Sequence, residues 1–332
     1  MSLNMLKQIF NPEDILKSFE TLQPLKSTVL DTLFTQKENH ASPFMSYSEV
    51  EELLHSVPVV RRDGAPVPLQ NTDLNVEFFA PLPIKPFINV TAADLNDLRS
   101  LMGNQAAVNA WRTKKIDQLR KAARITTEGM ASVVATTGKI SWVLQLDNGR
   151  AGVYEVDFGQ IPAAADLTPI TNTSKTSDVY SALIEMETQI NMNGYGGKIT
   201  FFAGKEVFLT LVDIVENRTS YTNNNSVTAK LDAGKIIIGG YEIVSMTETY
   251  PAPNKQWVSK LNSKTLLAVA TDIPGYVYYC ALDSISANNQ PLPMHIVPVV
   301  NDDDSGIKLI AQSKPVPMRP SKASCIWARA VA

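Results

Sequence analysis

Two neighbouring stretches of this chain have opposite patterns of apolar and polar residues. In residues 59–89 prolines are frequent and apolar residues alternate with polar ones, which predicts an extended two-stranded excursion. In residues 91–138 apolar residues recur three and four positions apart, which predicts a long helix with Thr91 as its N-cap and Gly138 at its C-terminal end. If Gly103 does not interrupt this helix, it has about 45 residues and a length of roughly 65–70 Å.

The predicted helix has an apolar side and a basic side. The apolar side consists of residues that fall together at about 100° per residue, namely Trp111, Ile116, Leu119, Ala122 and Ala123. The basic run on the other side is offset only by Asp117 and consists of Arg112, Lys114, Lys115, Arg120, Lys121 and Arg124. Such a run is typical of a solvated helix face, and it also fits a surface that faces phosphates or pairs with acidic groups of a neighbouring subunit.

The rest of the chain predicts shorter helices and strands. Helices are predicted from capping residues and helical spacing at residues 12–23, 46–54, 178–190 and 206–215. Strands are predicted from short apolar or alternating runs at residues 57–62, 140–146, 152–158, 198–203, 235–248, 265–271, 276–282, 308–313 and 325–331. Residues 28–34 contain a small apolar cluster. The segments between the predicted elements are a connection at 161–174, a polar loop at 221–228, a linker at 291–298 and a turn containing Pro315, Pro317 and Pro320. The pair Asn148-Gly149 predicts a hairpin between the strands at 140–146 and 152–158.

The bulk properties fit a globular protein of two domains. The 332 residues suffice for two cores, and a content of 44% hydrophobic and 19% charged residues is ordinary for globular proteins. The net charge of −3 gives no global basic field that would attract nucleic acid. Cys280 and Cys325 lie in apolar runs, which predicts buried, reduced thiols. Residues 1–10 lack the pattern of a secretory signal, and no apolar run is long enough to span a membrane, so we expect no membrane partner.

Few residues are arranged for catalysis or metal binding. His40, His55 and His295 are scattered, and none has the spacing of a metal-ligand set. The glycines of residues 193–198 precede a predicted strand instead of following one, so this stretch predicts a helix end and a turn instead of a phosphate loop. Residues 302–306 are acidic but lack the spacing of a calcium loop, which favours a solvated turn. We therefore predict no enzyme activity, no catalytic residue, no cofactor and no metal site.

Several short motifs carry a family resemblance through their shared order along the chain. They are residues 25–34, 79–86 (Phe-Ala-Pro-Leu-Pro-Ile-Lys-Pro), 124–128 (Arg-Ile-Thr-Thr-Glu), 135–140 (Ala-Thr-Thr-Gly-Lys-Ile), 156–159 (Val-Asp-Phe-Gly) and 310–317 (Ile-Ala-Gln-Ser-Lys-Pro-Val-Pro). In these motifs the chain resembles the major capsid protein E family of tailed bacteriophages, the lambda-type major head proteins. The resemblance covers most of the chain.

The resemblance implies an α+β fold of the HK97-like capsid type. This fold has an N-terminal arm, an extended β-hairpin loop, a long spine helix with a peripheral β-sheet, and an α/β axial domain. Mapped onto this chain, the resemblance implies an N-terminal arm at 1–45, the extended loop at 46–90, the peripheral domain with the spine helix at 91–165, the axial domain at 166–290, and return strands of the peripheral domain at 291–332.

The resemblance also implies a function, that of a major capsid protein whose copies self-assemble into an icosahedral shell around the double-stranded DNA of a phage or prophage. Its expected partners are other copies of itself in pentamers and hexamers, and further candidates are a decoration protein, a scaffold protein and packaged DNA on the interior face. The expected location is the virion, after assembly in the bacterial host cytoplasm. Two alternatives stay open: a non-phage encapsulating shell, and an α/β ligand-binding or hydrolase-like domain at residues 178–282, against which the missing nucleophile and base argue.

Overall fold

The computed structural model describes residues 27–46, 78–100, 103–146, 150–164, 167–218, 228–232, 234–301 and 306–331. Several predicted elements lie wholly or mostly outside these ranges, namely the helices at 12–23 and 46–54, the strand at 57–62, most of the extended excursion, the Asn148-Gly149 turn, most of the polar loop at 221–228 and most of the acidic turn at 302–306.

The described part is a mixed helical and sheet structure. Its helices are α1 (Thr28–Thr32), α2 (Ala92–Ser100), α3 (Gln105–Thr137), α4 (Thr176–Met192) and α5 (Lys205–Arg218), with 3-10 helices at Ile285–Ala287 and Ser321–Ala323. Its first strands are β1 (Gln36–His40), β2 (Met45–Ser46), β3 (Phe78–Phe79), β4 (Phe87–Thr91), β5 (Lys139–Gln145), β6 (Ala151–Asp157), β7 (Ile199–Ala203), β8 (Ala229–Asp232) and β9 (Lys235–Ile238). The later strands are β10 (Tyr241–Ser245), β11 (Thr249–Pro251), β12 (Trp257–Ser259), β13 (Leu266–Ala270), β14 (Tyr276–Cys280), β15 (His295–Val300), β16 (Gly306–Gln312), β17 (Pro315–Met318) and β18 (Ser324–Trp327). The elements α4, α5, β5, β6, β7, β13 and β14 confirm predicted helices and strands, and β5 and β6 form the predicted antiparallel hairpin.

A six-stranded sheet with the order β18-β13-β7-β10-β9-β8 forms the centre of one half of the molecule. All five residues of β7 are buried, because both faces of the sheet are covered. Phe201 packs in a core with α4 and α5, whereas the next residue, Phe202, packs in a second core with α1 and the C-terminal half of α3. The alternation of side chains along one strand therefore connects the two cores.

A third core lies between the N-terminal half of α3 and an antiparallel sheet with the order β15-β16-β4. Ile116 and Leu119 of the helix pack there against Ile296, Ile307 and Leu309 of the sheet. Further along α3, Met130 and Val134 belong to the second core. The long helix α3 thus contributes one buried stripe to two cores.

Two helices occupy residues 91–137, so the helical pattern is interrupted near Gly103 instead of forming one continuous rod. Helix α2 ends at Ser100 and α3 begins at Gln105. Asn104 has an extended backbone, and its side-chain oxygen accepts hydrogen bonds from the backbone N–H groups of Ala106 at 3.1 Å and Ala107 at 3.2 Å. An asparagine in this position caps a new helix. The 33 residues of α3 therefore span about 50 Å at about 1.5 Å per residue, less than the predicted rod.

The predicted ends of this stretch are confirmed. Thr91 and Asp94 exchange hydrogen bonds as a capping box, since the Thr91 N–H donates to the Asp94 carboxylate at 2.9 Å and the Asp94 N–H donates to the Thr91 hydroxyl at 3.2 Å. Gly138 ends α3 with φ of +75°, and its N–H donates to the carbonyl of Val134. A left-handed glycine at this position is the usual end of a helix.

Three predictions about turns and linkers are wrong. Residues 235–248 form a hairpin of β9 and β10 instead of one strand, because Gly239 and Gly240 both adopt positive φ. The linker predicted at 291–298 contains the start of β15, and the predicted proline turn at 315–320 contains β17. Strands β15 and β17 lie at the edges of their sheets. A proline is tolerated there, because its missing N–H can face away from the neighbouring strand and no hydrogen bond of the ladder is lost.

The return strands fall into different sheets. Strand β16 pairs with β4 and packs beside α3, whereas β18 pairs with β13 in the six-stranded sheet. Strand β1 pairs in parallel with β14, a contact that no sequence pattern predicted. The N-terminal segment, which we define as residues 27–46, is thereby attached to the rest of the chain at β14.

Candidate functional site

The side chains that could support catalysis or metal binding are dispersed. In the described ranges, no group of three or more His, Cys, Asp or Glu side chains could hold a metal ion. His295 is buried, which lowers its pKa, and its Nε2 lies 3.0 Å from the Ser286 hydroxyl, whereas His40 contacts the carbonyl of Phe44. His55 lies outside the described residues. Cys325 is a buried thiol whose pKa burial raises to about 12, and Cys280 is buried too, as predicted.

The glycine-rich stretch at 193–198 ends α4 and turns the chain into β7, as predicted. Asn193 is the last residue of the helix cap, and Gly194 adopts φ of +85° directly after it. Where the helices are described, none is long and apolar enough to cross a membrane.

The basic run on α3 is largely engaged by acidic groups of the same chain. Asp117 accepts bonds from Arg120 at 3.0 Å and from Lys121 at 2.6 Å. Burial alone would raise the pKa of Asp117, but the bonds from Lys121 and Arg120 outweigh it and lower the pKa. Lys115 lies over the ring of Trp111, with its Nζ 5.7 Å from the ring centroid. Lys114 and Lys121 are exposed, whereas the side chains of Arg120 and Arg124 are largely covered, so only part of the run is a solvated helix face.

The apolar side of α3 is as predicted at most positions. Ile116, Leu119 and Ala123 are buried and Trp111 is half-buried, whereas Ala122 is exposed, so its assignment to the apolar side is wrong. Ala122 lies about a quarter of a turn away from the buried stripe at about 100° per residue.

Arg124 holds the beginning of the N-terminal segment. Its Nη2 donates to the Asp31 carboxylate at 2.6 Å, and its Nε donates to the Ser27 hydroxyl at 2.8 Å. Asp31 also accepts the backbone N–H of Ser27 at 2.7 Å. The acidic partner of Arg124 is thus in its own chain.

A buried group of charges lies one helical turn after Arg124. Glu128 is only 5% exposed, and its two carboxylate oxygens accept the backbone N–H groups of Val29 and Leu30, each at 2.9 Å. Lys260, which is 8% exposed, donates to Glu128 at 2.7 Å and also to Glu248. We call Glu128, Glu248 and Lys260 the ion cluster. Glu248 in turn accepts a hydrogen bond from the hydroxyl of Thr28, so the ion cluster contacts α1 a second time.

The electrostatics of the ion cluster favour its charged form. Burial alone would lower the pKa of Lys260, but its hydrogen bonds to Glu128 and Glu248 outweigh burial and raise the pKa. Burial alone would likewise raise the pKa of Glu248, but bonds from Lys260 and Thr28 outweigh it and lower the pKa. Both shifts stabilise the charged forms of a buried lysine and a half-exposed glutamate that face one another.

Strands β2 and β3 pair with each other on either side, in sequence, of residues 47–77, which lie outside the described residues. Met45 pairs with Phe79, and Phe79 packs edge-on against Phe158 with ring centroids 6.1 Å apart. Phe78 points the other way and is 71% exposed, as is more than half of Phe44. The ladder is anchored on one face and presents two phenylalanines on the other.

A groove of about 650 Å³ opens beside this ladder, between the β5–β6 hairpin, α3 and residues 82–86. Its walls combine polar and apolar groups, and the larger apolar side chains among them are Leu82, Ile84, Met130, Trp142 and Tyr154. Burial raises the pKa of Tyr154 to about 12, so its hydroxyl stays protonated near neutral pH.

Large apolar side chains are also exposed outside the lining of the groove. The most exposed of these outside the β2–β3 ladder are Ile285, Met192, Trp257 and Val153. They belong to the 3-10 helix at Ile285–Ala287, the end of α4, β12 and β6. Dispersed exposed apolar groups fit a chain with several contact surfaces better than one with a single binding cleft.

Sequence reasoning missed the ion cluster, because its members are far apart in sequence. One signal was present: Glu128 is the sole charge in residues 125–138 of an otherwise uncharged helical run. A lone charge at a position that helical spacing places near the core implies a buried partner. The identity of that partner cannot be read from spacing.

Comparison with known proteins places the chain among phage proteins. Its sequence matches the model of a family described as phage major capsid protein E over residues 12–330. A solved structure described as a prophage capsid protein of E. coli CFT073 matches over 100% of this chain and 99% of its own, with 17% identity and a TM-score of 0.62. A phage-related protein from Bordetella bronchiseptica RB50 matches over 96% of each chain, with 9% identity and a TM-score of 0.47. No curated protein matches the chain. The predicted HK97-like α+β fold is confirmed.

Proposed function

Because the chain belongs to the phage major capsid protein E family and is a capsid shell protein, we propose that its copies assemble as pentamers and hexamers into a closed icosahedral shell around double-stranded DNA. Assembly would take place in the cytoplasm of the bacterial host, and the shell would become part of the virion. We propose no catalytic step, since the work of such a protein is association with its own copies.

The observation that carries this proposal is the geometry of the β2–β3 ladder. Ser46 and Phe78, the described residues on either side of residues 47–77, pair with each other in this ladder, so the two ends of this stretch lie side by side. A stretch rooted in this way can reach a neighbour without disturbing the subunit that carries it. The exposed Phe44 and Phe78 beside the root give the neighbour an apolar surface to cover.

Many modest contacts suffice for such a shell. Each subunit in a closed symmetric assembly repeats the same contacts, so the total free energy of assembly grows with the number of copies even when a single contact is weak. Weak single contacts also allow a misplaced subunit to dissociate before the shell closes.

The proposed division of the subunit follows the family resemblance. Residues 1–45 would form the N-terminal arm, 46–90 the extended loop, 91–165 the peripheral domain with α3 as its spine, and 166–290 the axial domain. Of the return segment at 291–332, β15 and β16 adjoin α3, and β18 adjoins the sheet of the proposed axial domain.

Packaged DNA is a further proposed partner. Lys114 and Lys121 point to solvent from α3, and a non-specific phosphate-facing surface needs no more than such lysines. Charge reversal at both lysines should reduce the DNA content of purified particles and leave their number unchanged. If the DNA content is unchanged, the proposal that α3 lines the interior of the shell is contradicted. A decoration protein and a scaffold protein remain proposed partners of the shell.

The test of assembly is a deletion confined to residues 50–74, which spares β2, β3 and Ile84, all of which contact the subunit. We expect a folded, soluble variant that forms no shells in electron microscopy or size-exclusion chromatography. The matched control deletes residues 223–225 from the predicted polar loop and should still form shells. Normal shells from the first deletion would contradict the proposed role of the extended loop. Particles without DNA would favour a non-phage encapsulating shell.

A further inference from the structure

Helix α1 is too short to be stable by its own hydrogen bonds. It has five residues, whereas isolated helices shorter than about 12 residues are marginal even in favourable sequences. Its N-cap residue, Ser27, makes no side-chain capping bond to the helix. The free backbone groups at its two ends must therefore be satisfied by other parts of the subunit.

A carboxylate from α3 satisfies the N-terminal end. Glu128 accepts the N–H groups of Val29 and Leu30 with one oxygen each, at 2.9 Å. A negative charge at this end also matches the direction of the helix dipole. Two bonds from one planar group fix both the position and the direction of the first helical turn.

The ion cluster holds that carboxylate in place. Lys260 binds Glu128 at 2.7 Å and bridges it to Glu248, which binds the Thr28 hydroxyl. The lysine comes from the segment directly after β12 and Glu248 from the segment directly before β11. Three separate parts of the chain therefore meet at the first turn of α1.

A cation satisfies the C-terminal end. The carbonyl of Leu33 accepts the N–H of Gly275 at 2.8 Å and a guanidinium nitrogen of the buried Arg319 at 3.3 Å. The same guanidinium donates to the carbonyl of Ala270 at the end of β13. The five-residue helix thus has a negative group at its positive end and a positive group at its negative end.

We propose that Glu128 is a positioning residue of shell assembly, which fixes the position and direction of Ser27 and the first turn of α1 in the subunit. This inference rests on the proposed function, since it concerns how an arm is presented to a neighbouring copy. Ser27 lies directly before the turn that Glu128 holds, and Arg124 binds Ser27 from the preceding turn of α3. Because Ser27 and the first turn of α1 are already held in place, no residue after Ser27 needs to move when neighbouring copies meet.

The test compares Glu128→Gln with wild type in the full chain. Gln is nearly isosteric but offers one accepting oxygen where Glu128 offers two, so one of the two backbone bonds is lost. Hydrogen exchange followed by mass spectrometry should show at least about tenfold faster exchange in peptides covering residues 28–34. Electron microscopy at equal concentrations of folded protein should show fewer shells or misformed ones.

Two controls separate positioning from loss of stability. Glu155→Gln removes an exposed ion pair with Lys139 and should change neither readout. Ile116→Val removes a methylene from the core beside the β15-β16-β4 sheet and should lower stability while residues 28–34 keep slow exchange and shells form normally. If Glu128→Gln does not fold, Glu248→Gln replaces it, because this half-exposed residue supports the same turn through Thr28.

The outcomes are distinct. Unchanged exchange of residues 28–34 in the folded variant would overturn the role of Glu128 in holding α1. Faster exchange together with normal shells would overturn its role in assembly. Failure of the wild-type chain to form shells would contradict the proposed function, and the exchange comparison would still decide whether Glu128 holds the helix.

Discussion

Replacing Lys260 by Met should expose how strongly the ion cluster depends on its cation. Lys260 is 8% exposed and lies between Glu128 and Glu248. Met has a similar length and fills the space of the lysine stem, so packing changes little. The substitution leaves the buried Glu128 charged and without its counter-ion, while the half-exposed Glu248 can be hydrated.

The magnitude follows from the burial of Glu128. Removing one partner of a buried ion pair costs about 3–5 kcal/mol, because the remaining charge is uncompensated. The two backbone bonds from α1 keep part of that charge solvated, so we expect about 3 kcal/mol. The double variant Glu128→Gln with Lys260→Met has no orphaned charge, and its cost should fall below the sum of the single costs by about 1 kcal/mol or more.

Urea unfolding of unassembled subunits, followed by circular dichroism, measures these free energies. The matched control is Lys139→Met, which breaks an exposed pair with Glu155 and should change the free energy of unfolding by less than about 0.5 kcal/mol. Strictly additive costs for Glu128→Gln and Lys260→Met would refute the reasoning, since they would mean that neither charge responds to the other.

Three further perturbations have defined outcomes. Asn104→Ala removes the cap of α3 and should lower the free energy of unfolding by about 1 kcal/mol in a thermal melt, whereas Asn104→Asp should restore it. Gly138→Ala should cost more than about 2 kcal/mol, because φ is +75° and a Cβ would lie 2.0 Å from the carbonyl oxygen of Gly159; a stable variant would contradict this geometry. The folded-state pKa of Glu248 is lowered, so its contribution to stability is complete above the unfolded value of 4.5 and is lost as pH falls through the folded pKa; Glu248→Gln should flatten that part of the pH profile of urea midpoints, and an unchanged profile would refute the assignment.

Local chemistry explains which elements the sequence predicted. The ends at Thr91 and Gly138 are set by caps within a few residues, and the β5–β6 hairpin is set by two short alternating runs joined by Asn148-Gly149. Such signals are contained in a short window and are rarely overridden. The only sign of the break at Asn104 in the sequence was the neighbouring Gly103, which weakens a helix. Asn104 itself gave no sign, because a capping asparagine inside a helical pattern looks like an ordinary exposed residue.

Two strands, β1 and β17, were missed for one physical reason, which is that their pairing partner β14 lies far away in sequence. Strand β17 contains Pro315 and Pro317 and was predicted as a turn, but it pairs with β14 along its one available edge. The polar strand β1 has no apolar alternation at all, and it is a strand because β14 offers it a parallel partner. Tertiary contacts of this kind override local propensity.

The long helix α3 couples the proposed arm to both cores that it enters. Its buried stripe passes from Ile116 in one core to Val134 in the other, while Arg124 and Glu128 lie about a quarter and about a third of a turn away from these residues and hold α1. A helix transmits displacement along its axis because its backbone bonds are continuous, and Asn104 ends that continuity before the first core begins. The residues of α3 that hold α1 lie between the stretch of the helix that enters the third core and the stretch that enters the second core. In the proposed shell, a force on the N-terminal segment would therefore act on a helix that is packed on both sides of this point, whereas α2 lies on the other side of the break at Asn104.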